Sequence, residues 1–186
     1  MQYKLTTPVT RNGLAQLKAG DTVLLSGVVY TARDAAHKRM MELLDTGKPL
    51  PFPVEGSAVY YVSPTPERPG EIIGSAGPTT SGRMDAYSPR LLDLGQAIMI
   101  GKGARNQAVK EAVVRNGALY LAALGGAGAL MAASVQSLEV ICWEDLGCEA
   151  VRRLEVKDFP LTVILDAHGD DLYQSGPAAY LANEHV

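Results

Sequence analysis

Segments typical of β-strands alternate with segments of helical spacing along most of this chain. Short apolar runs bounded by glycine, proline or polar residues predict strands at Thr22–Leu25, Ala58–Val62, Ala97–Ile100, Ala118–Leu124, Ser137–Trp143 and Leu161–Asp166. Apolar residues three and four positions apart predict helices at Arg33–Asp45, Ser88–Leu94, Ala104–Arg115 and Gly128–Ala133. This alternation predicts an α/β fold with a mainly parallel sheet.

The composition is that of one globular domain. The chain has 186 residues, of which 47% are hydrophobic and 20% are charged, enough to bury a substantial core. No repeat or low-complexity linker divides it, so we expect a single domain over residues 1–186. The formal net charge of -3 and the lack of long basic runs argue against nucleic acid as a partner.

The nine residues Gly77-Pro-Thr-Thr-Ser-Gly-Arg-Met-Asp85 form the most informative polar cluster. Buried hydroxyls and charges need partners, so such a segment is not typical of a protein core. The guanidinium of Arg83 can bind a carboxylate in a bidentate manner, and the glycines let backbone amides approach a ligand. We therefore interpret the segment as an anion-binding loop; the alternative is a polar surface turn that caps the next helix.

A second polar cluster, Thr31–Lys38, follows the first predicted strand. The apolar spacing that comes after it predicts a helix that Thr31 caps and that has Arg33 in its first turn. A positive side chain at this end opposes the helix dipole, which favours anions. Arg33 at this position therefore indicates a docked anion.

A third candidate is Gly101-Lys102-Gly103, which lies between a predicted strand and a predicted helix. This arrangement places the cation of Lys102 where a turn can bind an anion. Asn106 stands where a dinucleotide-binding fingerprint needs its third glycine, so the segment matches that motif poorly.

These clusters occur in a specific order together with other short motifs. The order is Leu5-Thr-Thr-Pro8, Leu17-Lys-Ala-Gly-Asp21, Leu25-Ser-Gly27, Thr31-Ala-Arg-Asp34 with His37, Gly77–Asp85, Gly101-Lys-Gly103, Phe159-Pro-Leu-Thr-Val-Ile-Leu-Asp166, then Gly169, Asp171 and Tyr173. It resembles the β subunit, or C-terminal domain, of the class I fumarate hydratase family of iron–sulfur hydro-lyases, which includes L-tartrate dehydratase. The resemblance covers nearly the whole chain, and it implies a swivelling β/β/α domain.

The resemblance also implies a reaction and a substrate. The reaction is the reversible hydration of fumarate to L-malate or, as the alternative, the dehydration of tartrate to oxaloacetate. The substrate is then a small dicarboxylate bound by Arg33, Arg83 and Lys102. These cations would also stabilise the carbanion-like charge that develops next to a carboxylate.

The family's base is the first threonine of its Gly-Pro-Thr-Thr loop, which corresponds to Thr79. A free hydroxyl is a weak base, so Thr79 needs activation, for which Asp85 and His37 are available by hydrogen bonding or by relaying protons. The alternative for these two residues is to orient the loop and cap a helix. Thr80 and Ser81 are expected to bond to backbone groups of the same loop.

The family's 4Fe-4S cluster, whose one exchangeable iron acts as a Lewis acid, is expected on a partner α subunit. The present chain has two cysteines, fewer than such a cluster needs. We therefore expect this chain to bind no metal, to be inactive alone, and to form an α2β2 assembly or a homo-oligomer. The alternative is a dicarboxylate-binding module without catalytic activity.

Three other features are interpreted as structural. Cys142 and Cys148 lack the spacing of a zinc site. The segment Asp166–Asp171 offers metal-type ligands, but Gly169 suits a hairpin turn between the predicted strands Thr162–Leu165 and Leu172–Tyr173. His185 is expected to lie in a solvated tail.

No charge occurs between Arg115 and Glu139, which raises the question of a membrane span. Gly125, Gly126 and Gly128 interrupt this stretch, so we expect a strand, a glycine turn and a short buried helix instead. The first residues of the chain lack the apolar core of a signal peptide, which predicts a cytoplasmic protein.

Overall fold

The computed structural model describes residues 1–124 and 126–183. Within these residues, seven strands form one sheet: β1 (Gln2–Thr7), β2 (Thr22–Thr31), β3 (Ala58–Tyr60), β4 (Ile98–Gly101), β5 (Leu119–Ala122), β6 (Val135–Cys142) and β7 (Val151–Leu165). The α-helices of the same part of the chain are α1 (Arg11–Leu14), α2 (Asp34–Asp45), α3 (Ser88–Asp93), α4 (Gln107–Asn116), α5 (Gly128–Ala133) and α6 (Leu172–Asn183).

The first five strands run parallel. β1 and β3 both pair with β2, β4 pairs with β3, and β5 pairs with β4. β1 lies beside the first half of β2, and β3 lies beside its end, at Tyr30 and Thr31. The carboxyl ends of β2, β3 and β4 therefore meet at one edge, where connecting loops commonly carry functional residues.

β7 closes the sheet into a ring. One edge of this long strand pairs antiparallel with β2. The other edge pairs antiparallel with β6 along residues 151–156 of β7 and with β5 along residues 162–165 of β7. β6 and β7 are joined by the short segment 143–150, which explains their antiparallel pairing. The predicted α/β class and single domain agree with this architecture, while the sheet is parallel only from β1 to β5.

Side chains on the two faces of the sheet form two apolar clusters. Ile98 and Ile100 of β4 point to the face enclosed by the ring, where Val29, Leu121 and Val163 pack. Met99, between them, points to the other face, which α2, α3 and α4 cover; residues of this outer cluster include Met40, Leu91 and Val113. The continuous apolar run of β4 follows from burial on both faces.

Helix α4 has clear end signals. The side chain of Asn106, at its N-cap, accepts a 3.0 Å hydrogen bond from the amide of Val109. Gly117 follows its last turn with φ +60°, a left-handed conformation that glycine adopts without strain. The helix predicted after Lys102 is confirmed, and it begins three residues later than expected because Asn106 starts it.

Some predicted bounds are wrong. β2 and β7 are longer than the apolar runs that predicted them, because each extends along partner strands on both edges. The second arm of the predicted hairpin is helical: Gly169 has the expected positive φ, but Leu172 begins α6. Helix α5 has its predicted bounds, yet Leu130 is 52% exposed, so the helix is only half buried. The predicted glycine turn includes Gly125 and the predicted tail includes His185; both residues lie outside the described part of the chain.

Candidate active site

The predicted site residues follow the carboxyl ends of three parallel strands. Arg33 lies two residues after β2, and Lys102 directly follows β4. The loop that begins at Gly77 crosses this edge, and the amide of Thr79 donates a 2.8 Å hydrogen bond to the carbonyl oxygen of Tyr61, just after β3. The parallel part of the sheet therefore brings together segments that are far apart in the sequence.

Arg33 and Arg83 share one carboxylate. Nε of Arg83 donates a 2.7 Å hydrogen bond to Oδ1 of Asp34, and a guanidinium nitrogen of Arg33 lies 3.3 Å from Oδ2 of Asp34. Partial burial raises the pKa of Asp34, but its backbone hydrogen bond and the charge of Arg83 outweigh this, so the net pKa lies below its usual value. Asp34 is thus ionised at neutral pH and holds the two guanidinium groups close together.

Arg33 has further partners. Its guanidinium donates to the hydroxyl of Ser63 and lies 3.3 Å from Oε1 of Glu149. The other carboxylate oxygen of Glu149 accepts a 3.0 Å hydrogen bond from the amide of Ala35, in the first turn of α2. Arg33 is therefore mostly buried, whereas 52% of the Arg83 side chain is exposed.

The predicted capping of α2 is wrong. Thr31 is the last residue of β2, and its hydroxyl accepts a hydrogen bond from the amide of Arg152 in β7. Arg33 is the N-cap residue and makes no capping bond with its side chain. One of the orphan amides at this helix end, that of Ala35, bonds instead to Glu149, whose negative charge is also favourable at the positive end of the helix dipole.

The threonine loop is pinned to the turn that carries Lys102. Thr80 and Lys102 form a parallel bridge, and the amide of Ser81 donates to the carbonyl of Lys102 over 2.8 Å. In return, the amide of Lys102 donates to Oγ of Ser81 over 3.0 Å, and the hydroxyl of Tyr120 donates to the same oxygen over 2.9 Å. Ser81 thus bonds to backbone groups, as expected, but across to the β4 turn.

Glycine is required where this loop touches β4. A Cβ atom at Gly101 would overlap Oγ of Ser81 and would lie 3.0 Å from the ring of Tyr61. Gly101 therefore lets the loop lie directly on the strand. This contact sets the distance between the threonines and Lys102.

The side chains of the base candidate and of one of the cations have no hydrogen-bond partner in the part of the chain that the structure describes. Thr79 is half-buried and Lys102 is exposed. Among the described residues, neither the hydroxyl of Thr79 nor the ammonium of Lys102 has a hydrogen-bond partner within the chain. Both groups are thus available to a ligand.

Asp85 bonds away from Thr79. Its Oδ1 accepts a 2.6 Å hydrogen bond from Nε of Arg105, and its Oδ2 accepts a 2.7 Å bond from the amide of Asn106. Both carboxylate oxygens of Asp85 therefore already have hydrogen-bond partners, at the end of the loop. These contacts favour the orienting role over direct proton transfer.

His37 is a buried neutral imidazole. Its Nδ1 lies 2.9 Å from the carbonyl oxygen of Arg33, an acceptor, so Nδ1 carries the proton and donates. Burial, aided by the charge of Arg105, lowers the pKa of His37 to about 4. The ring packs near Tyr61 and Tyr87, and its Nε2 has no partner among the described residues.

Part of the site is exposed to solvent. A groove of about 790 Å³ lies between α4 and the start of α6, but none of the predicted site residues line it. Arg83 and Lys102 project from the domain surface instead. A small substrate bound there would need another surface to enclose it.

Sequence reasoning missed several residues that build the site. Ser63 and Glu149 bind Arg33, and the hydroxyl of Tyr120 holds the loop. Tyr173, named above as part of the family pattern, accepts a 3.2 Å hydrogen bond from the amide of Gly103. Arg105 is two residues from Gly103 and could have been considered with the Gly-Lys-Gly turn. Glu149 had no local signal, because it lies 114 residues from the amide that it caps.

The other features interpreted as structural have ordinary environments. Cys142 is half-buried and Cys148 is exposed, and both are free thiols. Oδ1 of Asp166 accepts hydrogen bonds from the amides of His168 and Asp170, as expected for a turn. Within residues 1–124 and 126–183, no three histidine, cysteine or acidic residues lie together as a metal site, and no helix is long and apolar enough to span a membrane.

Comparison with protein families matches residues 1–176 to the family described as Fumarase C-terminus. The anaerobic class I fumarate hydratase of Escherichia coli (strain K12) is 39% identical over 163 residues, which cover 87% of this chain and 30% of that enzyme. The putative L(+)-tartrate dehydratase subunit beta of Methanocaldococcus jannaschii is 37% identical over 180 residues, covering 94% of this chain and 92% of that subunit.

A third relative, the L(+)-tartrate dehydratase subunit beta of Escherichia coli (strain K12), is 32% identical over 177 residues, covering 92% of this chain and 87% of that subunit. The chain thus spans about 30% of the length of the fumarate hydratases that it matches. It spans most of the length of both tartrate dehydratase subunits.

Proposed function

The chain belongs to the Fumarase C-terminus family, and we propose that it is the β subunit of a hydro-lyase that hydrates fumarate reversibly to L-malate. One observation carries this proposal: Arg33, Arg83, Lys102 and Thr79 occupy one edge of the sheet, at the ends of its parallel strands. Three cations and a hydroxyl on one edge of the sheet suit a small dicarboxylate that must lose or gain a proton.

The three cations have different roles in binding the substrate. Arg83 and Lys102 present exposed charges to one face of the site, where they attract and orient the diacid. Arg33 is held between Ser63, Asp34 and Glu149, so its guanidinium keeps one geometry when the substrate arrives. Such preorganised charges stabilise the anionic transition state without reorganisation.

Thr79 is the proposed base. Its half-buried hydroxyl lies on the loop that Ser81 pins to the Lys102 turn, and neighbouring positive charge favours the alkoxide form that can accept a proton. Asp85 and His37 act in this proposal by orienting the loop and the carbonyl of Arg33, a role that their hydrogen bonds support.

The 4Fe-4S cluster of the family does not fit this chain. Cys142 and Cys148 are its two cysteines, and the described residues contain no group of three candidate metal ligands. We therefore propose that a partner α subunit holds the cluster and covers the open face of the site. An α2β2 assembly in the cytoplasm is the proposed form, and the two free thiols support that compartment.

A second candidate substrate is L-tartrate. The match over 92% of the putative L(+)-tartrate dehydratase subunit beta of Methanocaldococcus jannaschii specifically favours it. The two reactions share the carboxylate clamp and differ in a hydroxyl group on the second carbon. Fumarate stays the first proposal, and both diacids belong in the same assay.

The test is co-expression with a cysteine-bearing α-subunit homologue, followed by assays of fumarate hydration and tartrate dehydration. We expect turnover in the complex and none in the isolated chain. Thr79→Ala should lower kcat by about 10²-fold or more while dicarboxylate binding is kept, and Thr80→Ala, an exposed neighbour, should stay near wild type. Equal activity of the two variants would remove Thr79 from the mechanism.

Two other results would redirect the proposal. Dicarboxylate binding without a complex and without turnover would identify a binding module instead. Turnover of tartrate alone would identify a tartrate dehydratase subunit. Light scattering of the complex measures whether two αβ pairs assemble.

A further inference from the structure

Arg105 is a buried charge that neither substrate binding nor proton transfer uses. Its side chain is 0% exposed, yet arginine almost never lies inside a domain without dedicated partners. The guanidinium donates to Oδ1 of Asp85 over 2.6 Å and to Oγ of Ser88 over 2.8 Å, and it lies 3.2 Å from the sulfur of Met99. These contacts join the end of the threonine loop to α3 and β4.

Two tyrosine rings, one in the sheet and one directly after a strand, flank the guanidinium. Its central carbon lies 5.5 Å from the ring centre of Tyr61, just after β3, and 5.0 Å from that of Tyr120 in β5. Cations at this distance from aromatic rings are attracted to them, more strongly when both groups are buried. Arg105 is therefore fixed to the strands that form the floor of the candidate site.

Asp85 transmits this fixed position to the loop. Its second carboxylate oxygen accepts from the amide of Asn106, so both oxygens are used. Backbone pairing holds the first part of the loop, from Pro78 to Ser81, against Tyr61, Val62 and Lys102. The Arg105–Asp85 pair is the charged anchor at the far end of the loop from Gly77.

We infer that Arg105 is a positioning residue: its guanidinium, held between Tyr61 and Tyr120, fixes Asp85 and thereby the loop that carries Thr79 and Arg83. Arginine is required because its planar fork reaches two acceptors at once while its central carbon lies over both rings, and the single ammonium of lysine cannot do this. The catalytic consequence rests on the proposed function; the effect on the loop does not.

The test compares Arg105→Lys with Arg115→Lys in the full chain, alone and with its α subunit. Arg115 is a matched control, since it also lies near α4 and pairs with an aspartate, Asp93, but at an exposed site. Hydrogen–deuterium exchange followed by mass spectrometry should show roughly tenfold faster exchange in residues 77–88 of Arg105→Lys, with β4 and β5 unchanged. The complex should lose roughly tenfold or more in kcat at temperatures well below its melting point.

Each outcome is decisive. Wild-type exchange in residues 77–88 together with wild-type kcat would overturn the inference. Exchange that rises equally in all segments would also overturn it, because Arg105 would then be only a stability residue. Loop-limited exchange in a chain whose wild-type complex has no hydratase activity would keep the positioning role and reject the proposed function.

A second variant, Asp85→Asn, tests the inference independently in case Arg105→Lys does not fold. Asp85→Asn keeps Arg105 and the two tyrosines but weakens the charged bond, so it should show the same loop-limited exchange to a smaller degree. Failure of both variants to fold would assign the pair to global stability and overturn the inference.

Discussion

Nε of Arg83 lies 2.7 Å from Oδ1 of Asp34, so two motifs 49 residues apart in the sequence meet at one carboxylate. The contact orders an exposed arginine that otherwise would sample many rotamers. It also places Arg83 beside Arg33, the second ion-pair partner of Asp34. The geometry of the proposed clamp thus depends on a residue that itself binds no substrate.

Asp34→Asn should therefore weaken substrate binding. A partly exposed ion pair contributes about 0.2–1 kcal/mol, so we expect KM for the diacid to rise about 1.4- to fivefold with kcat little changed. Steady-state kinetics of the αβ complex measure this, with Asp93→Asn as the control at an exposed Arg–Asp pair distant from the loop. A fall in KM would show that Asp34 competes with the substrate instead of ordering Arg83.

Arg33→Lys should be more damaging. The guanidinium serves Ser63, Asp34 and Glu149 together, and charged hydrogen bonds of this kind contribute about 1.5–3 kcal/mol each. We expect kcat/KM to fall by roughly 10- to 100-fold at temperatures where the variant stays folded, and the melting temperature to fall as well, because the same contacts stabilise the fold.

The control for that variant is Arg39→Lys. Arg39 lies in the same helix and also bonds an aspartate, Asp145, but at an exposed surface away from the loop. Its kcat/KM should match wild type. Equal losses in the two variants would indicate a general effect on α2.

His37 makes the fold sensitive to acid. Its folded pKa of about 4 lies below the unfolded value of 6.5, so the unfolded chain binds the proton more readily. Stability from this group is complete above pH 6.5 and is lost as the pH falls from 6.5 towards 4. Between pH 8 and pH 5 the loss should be about 2 kcal/mol.

His37→Asn tests this dependence, because its side-chain amide can still donate to the carbonyl of Arg33 but does not titrate. Urea unfolding at pH 5 and pH 8 should show a smaller pH dependence in the variant by about that amount. Identical pH dependence in both proteins would mean that another group controls acid unfolding.

Gly101→Ala should separate the loop from β4. The added methyl group would overlap Oγ of Ser81, and overpacking of this kind costs about 1–3 kcal/mol. We expect a lower melting temperature and a larger fall in kcat/KM than stability alone explains, because Thr79 moves away from Lys102.

Gly13→Ala is the matched glycine control. The nearest atom to its added Cβ, Oγ1 of Thr10, lies at an ordinary 3.5 Å, so the variant should stay within about 1 kcal/mol of wild type. Thermal melts and kinetics of the two variants should therefore diverge. A wild-type kcat/KM in Gly101→Ala would show that the loop tolerates displacement.

Local patterns predicted the regular part of the fold. The bounds of α5 and the continuous apolar run of β4 were visible in the sequence, and Gly117 and Asn106 mark the ends of α4. β1, the first half of β7 and α6 were missed: β1 has only six residues, charged residues interrupt the first half of β7, and α6 contains Pro177. Such elements form only when partner strands or neighbouring helices are present.

The sequence by itself determined which chemical groups the protein carries: three cations, a threonine loop and two cysteines, too few for a cluster. Only the tertiary structure decided which of them meet. Asp85 faces Arg105 instead of Thr79, and Glu149 caps the helix that Thr31 was expected to cap. Hydrogen bonds and ion pairs act over a few ångströms, whereas Glu149 lies 114 residues from the amide that it caps, so no local pattern records such contacts.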